Sequence, residues 1–438
     1  TPDQRIAQCM WLAAYSNRDV SHEVEISDLI KNYGPGGLIF FQGTAAKQAE
    51  LTNYYQHISK VPLLIAMDAE WGLGMRLQNV EKFPYQMTLG AIQDDSLVYM
   101  MGKVVADQCR RLGVHVNFAP VADINNNASN PVINYRSFGE DRERVTKGAT
   151  MYMKGMQDNG VLATLKHFPG HGDTETDSHL RLPVINQTKS ELDSLELYPF
   201  SYLIDKGIGA VMTGHLQVPA LEPNARIPAT LSSKIIKQKL RSNLGFEGLI
   251  ITDAMNMNGV GKASSADLVV KALKAGNDMV EIVPNLEKAI AAVKLAVKSG
   301  QITTEDIDSK CRRILAAKKW LALDKQKFTD RKNLQAELCQ PRYQLTKQLL
   351  FEKALTVLEN KNNILPLQRL DTLKIASLAI GVEETTSLQL MLDNYTQVDH
   401  FNISKSPSEK EILSLINQLK PYNLIIAGIH GMGLYFSR

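Results

Sequence analysis

Cysteine is scarce in this 438-residue chain: four residues, at 9, 109, 311 and 339, none in a C-x-x-C spacing. Neither a disulfide framework nor a cysteine-based zinc site can be built on that pattern. No apolar run reaches the ~18 residues that a membrane-spanning helix needs. An excess of one charge is also missing. Lysine plus arginine number 49 against 46 aspartate plus glutamate, a net charge of +3. Nucleic-acid and membrane-surface binding call for concentrated positive charge, so neither is the leading idea. There are no internal repeats and no low-complexity tracts. With 44% hydrophobic and 22% charged residues the composition is globular, which excludes disorder throughout. A prior of about 150 residues per domain gives two or three domains.

What is present is a regular alternation of short apolar runs and amphipathic stretches. The runs are Cys9–Tyr15, Gly37–Phe41, Leu63–Asp68, Val114–Ala119, Val161–Lys166, Gly209–Thr213, Gly248–Asp253 and Asp278–Val283. Most are continuously apolar, as parallel strands covered on both faces are. Helical periodicity marks Ser96–Leu112, Arg142–Asn159 and Leu286–Ser299 between them. Eight strands with helical crossovers over roughly 320 residues predict an α/β fold, a (β/α)8 barrel of the TIM type. A doubly wound open sheet is the alternative, but no glycine-rich phosphate turn follows the first strands. The expected division is a barrel over 1–325, a polar linker over 326–344, and a partial α/β domain over 345–438. That second domain opens with a helix at Leu345–Leu358 and contains strands near Leu373–Gly381 and Leu424–Gly428.

Several runs end in a residue with chemical capability: Asp68, Lys166 with His167, His215 just beyond its run, and Asp253. In a barrel these ends converge on one face, where active sites form. The densest constellation runs from Lys166 to His179 (K-H-F-P-G-H-G-D-T-E-T-D-S-H), with three imidazoles, three carboxylates and a lysine in 14 residues. Glycine and proline make it an irregular loop leaving a strand end. A metal site through His167, His171 and His179 and a merely solvated loop are alternatives. The favoured reading is acid-base chemistry, because Asp177 stands where it can orient and charge His179. The second constellation is Leu240–Asn256, in which Asp253 ends a fully apolar strand. Burial would raise its pKa unless cations such as Lys166 hold it ionised, and an ionised carboxylate at the barrel mouth can act as a nucleophile. A helix-capping aspartate is the alternative at 253, and an ion pair with Glu140 the alternative for Arg136.

At this level of detail the chain resembles glycoside hydrolase family 3, specifically its bacterial β-N-acetylglucosaminidase (β-hexosaminidase) branch. The resemblance is carried by the 166–179 string and by G-F-E-G-L-I-I-T-D-A-M at 245–255. Met67-Asp68, Arg76, Gly113–Pro120 and Asn134–Asp141 match too. It covers the barrel, and Lys353–Leu367 looks like the opening of that family's second domain, here about half the usual length and so expected to be truncated. The resemblance implies that Asp253 is the nucleophile, His179 the acid/base and Asp177 its partner. It implies further that Asp68, Arg76, Arg136, Lys166 and His167 bind the sugar of the non-reducing-end subsite.

The expected reaction is release of terminal β-linked N-acetylglucosamine, from peptidoglycan fragments or related oligosaccharides, with retention through a covalent glycosyl-enzyme. It needs a carbohydrate substrate and no metal or organic cofactor. A neutral imidazole would not repel an anionic acceptor as a carboxylate base would, so phosphate could replace water and make the enzyme a phosphorylase. Outside this class stand a metal-dependent barrel hydrolase and a barrel that binds sugar without catalysis. Members of the branch work in the cytoplasm or outside it. The absence of an initiator methionine before Thr1 favours an exported, periplasmic chain trimmed at its front.

Overall fold

The computed structural model describes residues 1–174, 182–256, 264–325 and 328–430. Seven of the eight apolar runs form hydrogen-bonded parallel strands: β1 Trp11–Ala14, β2 Gly37–Phe40, β3 Leu64–Met67, β4 Val116–Asn117, β5 Leu162–Phe168, β6 Ala210–Thr213 and β7 Leu249–Thr252. They pair in sequence order. The eighth run closes the ring. Met279 bridges to Ile251 of β7, and Val280 bridges to Met10 just ahead of β1, both in parallel. Every residue of β2, β3, β6 and β7 is buried. Covering both faces of the sheet in this way requires helices outside and packed side chains within, which is why the runs read as solid apolar blocks.

The helices are started by their own sequence. Asp94 and Asp141 cap Asp95–Leu112 and Arg142–Gln157 by accepting from Ser96 N and Arg144 N, satisfying amides that would otherwise lack a partner. These two helices touch where Gly102 meets Gly155. A Cβ on Gly155 would lie 2.3 Å from the Tyr99 carbonyl oxygen and 2.8 Å from Lys103 N. Backbone cannot yield as a side chain can, so Gly155→Ala is expected to lower stability by about 1–3 kcal/mol. A fall in the urea midpoint with an unchanged m-value is the measurement that checks this.

The chain divides into compact units at Thr1–Leu355 and Thr356–Arg438. The helix expected at 345–358 runs over Pro341–Ala354 and belongs to the first unit, where it packs on Gln86–Gly90 and Asp95–Leu112. Its buried Tyr343, Thr346 and Leu350 supply that contact, and Lys347 reaches Glu81 at 2.7 Å. The stretch expected as linker contains a short helix, Leu334–Leu338, whose Glu337 side chain pairs with Arg111. The second unit is a three-stranded parallel sheet with β8 Ile375–Ile380 between β9 Val398–Ile403 and β10 Leu424–Ile429. Capping boxes begin its helices Ser387–Leu392 and Glu409–Leu419. Among the described residues no helix is long and apolar enough to cross a membrane.

Candidate active site

The C-terminal ends of the strands carry the polar residues, as alternation along each strand dictates. Beyond β3, Asp68 and Glu70 share parity and turn to the same side. The backbone between them is clamped from outside. Asn117 accepts from Ala69 N at 3.0 Å and donates to Ala69 O at 3.1 Å, while Tyr152 Oη lies 3.1 Å from the carbonyls of both Ala69 and Glu70. Gln86 performs the same service for the β4 loop, donating to Val121 O and Arg136 O at 2.9 and 2.7 Å.

Lys166, only 2% exposed at the end of β5, joins these two carboxylates. Its Nζ lies 3.0 Å from Asp68 Oδ1 and 2.8 Å from Glu70 Oε1. Each carboxylate also has its own arginine. Arg76 meets Asp68 at 2.5 Å, and Arg136 grips Glu70 with two bonds of 2.7 and 3.0 Å. Burial alone would raise both acids, but the surrounding cations overcome it. Asp68 is held well below the ordinary carboxylate range by Lys166 and Arg76, and Glu70 is brought down to about 2 by Arg136 and Lys166. Arg136 therefore pairs with Glu70 rather than with Glu140.

Asp123, fully buried, organises the start of the loop after β5. It accepts from His167 N at 3.1 Å and His171 N at 2.8 Å, and its Oδ2 lies 2.7 Å from His167 Nδ1. With the carboxylate opposite it, Nδ1 carries a proton, and the contact holds the His167 ring in one orientation. Burial pushes His171 down to about 4, so it is neutral near pH 7, and its ring meets Thr174.

At the end of β7, Asp253 accepts from Ala254 N at 2.8 Å, and its own amide donates to Thr213 O. Burial opposes its ionisation. The imidazoles of His215 and His167, the Ala254 amide and Lys166 outweigh burial and lower its pKa. Lys166 thus acts on Asp253 through its field, whereas its direct partners are Asp68 and Glu70. His215 Nε2 donates to Ala254 O at 3.0 Å and so steadies the same turn.

Asp68, Arg76, Arg136, Lys166, His167 and Asp253 come together at one end of the barrel. Asp177 and His179 lie outside the described residues. Three further buried acids stand in the same place and were not picked out from the sequence: Glu70, Asp123 and Glu281. A signal existed for two of them. Glu70 follows Asp68 at the strand period of two, and Glu281 interrupts an apolar strand covered on both sides. Asp123 follows its strand by several irregular residues, and nothing in the local pattern marks it.

The family model described as the glycosyl hydrolase family 3 N terminal domain matches residues 2–317. A β-hexosaminidase A of Pseudoalteromonas piscicida is 34% identical over 328 residues, 67% of this chain and 55% of that protein. A β-N-acetylglucosaminidase/β-glucosidase of Cellulomonas fimi is 28% identical, across 84% of this chain and 66% of its own length. The chain therefore spans less than two thirds of either relative. Among solved structures, a glycoside hydrolase family 3 β-N-acetylglucosaminidase from Paenibacillus sp. str. FPU-7 superposes with a TM-score of 0.80 at 32% identity. That superposition covers 98% of this chain and 84% of the other.

Proposed function

Because the chain belongs to glycosyl hydrolase family 3, we propose that it removes terminal β-linked N-acetylglucosamine from oligosaccharides, peptidoglycan fragments among them, with retention of configuration. The names borne by its relatives support the sugar. The observation that carries the reading is the setting of Asp253. It is a half-buried carboxylate kept ionised at the barrel mouth, near a polar network in which the buried Lys166 and Glu70 join the half-buried Asp68, Arg76 and Arg136. An ionised nucleophile opposite a cluster of donors and acceptors suits a small polyhydroxylated ring.

In this reading Asp253 attacks the anomeric carbon while protonated His179 gives its proton to the departing oxygen. The C1–O bond to the leaving group breaks, an ester to Asp253 forms, and neutral His179 then takes a proton from the water that releases the sugar. Asp177, two residues earlier in the sequence, is the partner of His179 in this reading. Asp68, Arg76, Arg136, Lys166 and His167 hold the hydroxyls.

Proton NMR during the first turnovers of 4-nitrophenyl N-acetyl-β-glucosaminide is the test. The β-anomer of N-acetylglucosamine is expected first, with the α-anomer growing in by mutarotation. Appearance of the α-anomer first, or faster turnover of the corresponding β-glucoside, overturns the proposal.

A further inference from the structure

Glu281 has no part in the mechanism above, yet it stands beside Asp253. The parallel bridge of Ile251 to Met279 carries the register two residues on, so Asp253 and Glu281 are cross-strand neighbours on the same face. Hydrogen bonds fix that register: Glu281 N donates to Thr252 Oγ1 at 2.9 Å, and Met255 N donates to Glu281 O at 3.1 Å. The residue is 4% exposed, and among the described residues its Oε2 has no hydrogen-bond partner. Its electrostatic neighbours are Asp253, Asp68, Lys166 and Arg76, which come from three other strand ends. Only a group directed into the mouth of the barrel meets all four. Burial, with Asp253 and Asp68 nearby, pushes its pKa well up, since neighbouring carboxylates resist ionising together. Asp253 holds the charge and Glu281 holds the proton, which makes it an O–H donor aimed into the pocket.

The handedness of the fold and of the sugar identifies what that donor meets. Right-handed crossovers make successive strands run anticlockwise when viewed from their C-terminal ends. A D-glucopyranose ring resting its α face on Asp253 numbers clockwise from the same viewpoint. With C1 over Asp253, C2 and C3 turn toward β6 and β5, where Lys166 and His167 stand. C5, with its hydroxymethyl group, turns toward the closing strand and Glu281. Resting on the function proposed above, we propose that Glu281 is a specificity-determining residue that hydrogen-bonds the C6 hydroxyl of the bound sugar.

The test compares kcat/KM for an aryl N-acetyl-β-glucosaminide and its 6-deoxy analogue in the wild-type protein, Glu281→Leu and Glu281→Gln. A site built around a substrate hydroxyl rejects the analogue lacking it, because a buried donor is left unpaired. The wild-type protein is expected to prefer the parent substrate by ~10–100-fold. Glu281→Leu is expected to lose most of that preference by slowing on the parent alone, and Glu281→Gln, which keeps a donor, to retain most of it. A purely structural Glu281 predicts equal losses on both substrates, so unchanged discrimination in Glu281→Leu overturns the assignment. If Glu281→Leu does not fold, a wild-type protein indifferent to the 6-deoxy change, or Glu281→Gln without discrimination, overturns it equally. A wild-type protein that turns over neither substrate removes the underlying function, and this assignment with it.

Discussion

Asp253→Ala is expected to lower kcat by ~10^4-fold or more, because in the proposed mechanism Asp253 forms the bond to the anomeric carbon. The neighbouring strand offers an apparent substitute in Glu281, but its burial beside Asp253 and Asp68 keeps it protonated and therefore a poor nucleophile. Removing the Asp253 charge lets Glu281 ionise more readily, yet its carboxyl is fixed one strand away. Activity lost through the nucleophile alone can be restored from outside. Azide added to Asp253→Ala should occupy the space vacated by the carboxyl and give the α-glycosyl azide, while added azide should not change the product of the wild-type protein. A 2-fluoro-sugar inactivator should correspondingly leave its label on the peptide containing Asp253. Retention of activity within tenfold of wild type by Asp253→Ala, or a label on another peptide, would remove Asp253 from the reaction. The fold should be little disturbed by the change, since among the described residues the Asp253 carboxylate makes a local bond to Ala254 N and no other.

How far the sequence could be read follows from the same distinction between local and assembled features. Seven strands and the run that closes the ring were legible because burial on both faces leaves solid apolar runs, and the strand ends carrying Asp68, Lys166 and Asp253 were legible because polarity begins there abruptly. The network that joins them was not. Arg136 stands four residues from Glu140, so proximity along the chain suggested that pair; the fold instead brings Glu70 from a different strand end and offers it two bonds. Asp123 lacks a local signature altogether, since its task is to accept the amides of residues 44 and 48 positions away. The Pro341–Ala354 helix has a mixed polar and apolar surface that reads equally well as the start of a new domain. Only the barrel helices beneath Tyr343 and Leu350 decide where it belongs.

Lys166→Met is the change expected to disturb the site most without touching Asp253. Three cations, Lys166, Arg76 and Arg136, face two carboxylates, Asp68 and Glu70, and Lys166 also helps to lower the pKa of Asp253. Methionine fills the volume and removes the charge, leaving buried carboxylates undercompensated, at a cost of about 3–5 kcal/mol at pH 7. The pH dependence has a definite sign. In the wild-type protein Asp68 and Glu70 are depressed, so their contribution is present above the ordinary carboxylate pKa and is lost as pH falls toward the folded values, about 2 for Glu70. In Lys166→Met those folded pKa values rise, and the folded variant takes up protons that the wild type does not. The stability gap between the two proteins should therefore be widest near pH 7 and narrow toward pH 4, as measured by urea midpoints at both values. Catalysis should suffer in parallel, with kcat/KM down by ~10^2–10^3-fold from lost hydrogen bonding to the sugar. The acid limb of the rate profile should move upward as Asp253 loses a neighbouring positive charge. Lys166→Arg should preserve much of the stability and little of the activity, because a planar fork cannot place its charge where a single ammonium bridges two acids. A gap below 1 kcal/mol, or one that stays constant with pH, would mean that the arginines alone neutralise the site and that Lys166 is not its hub.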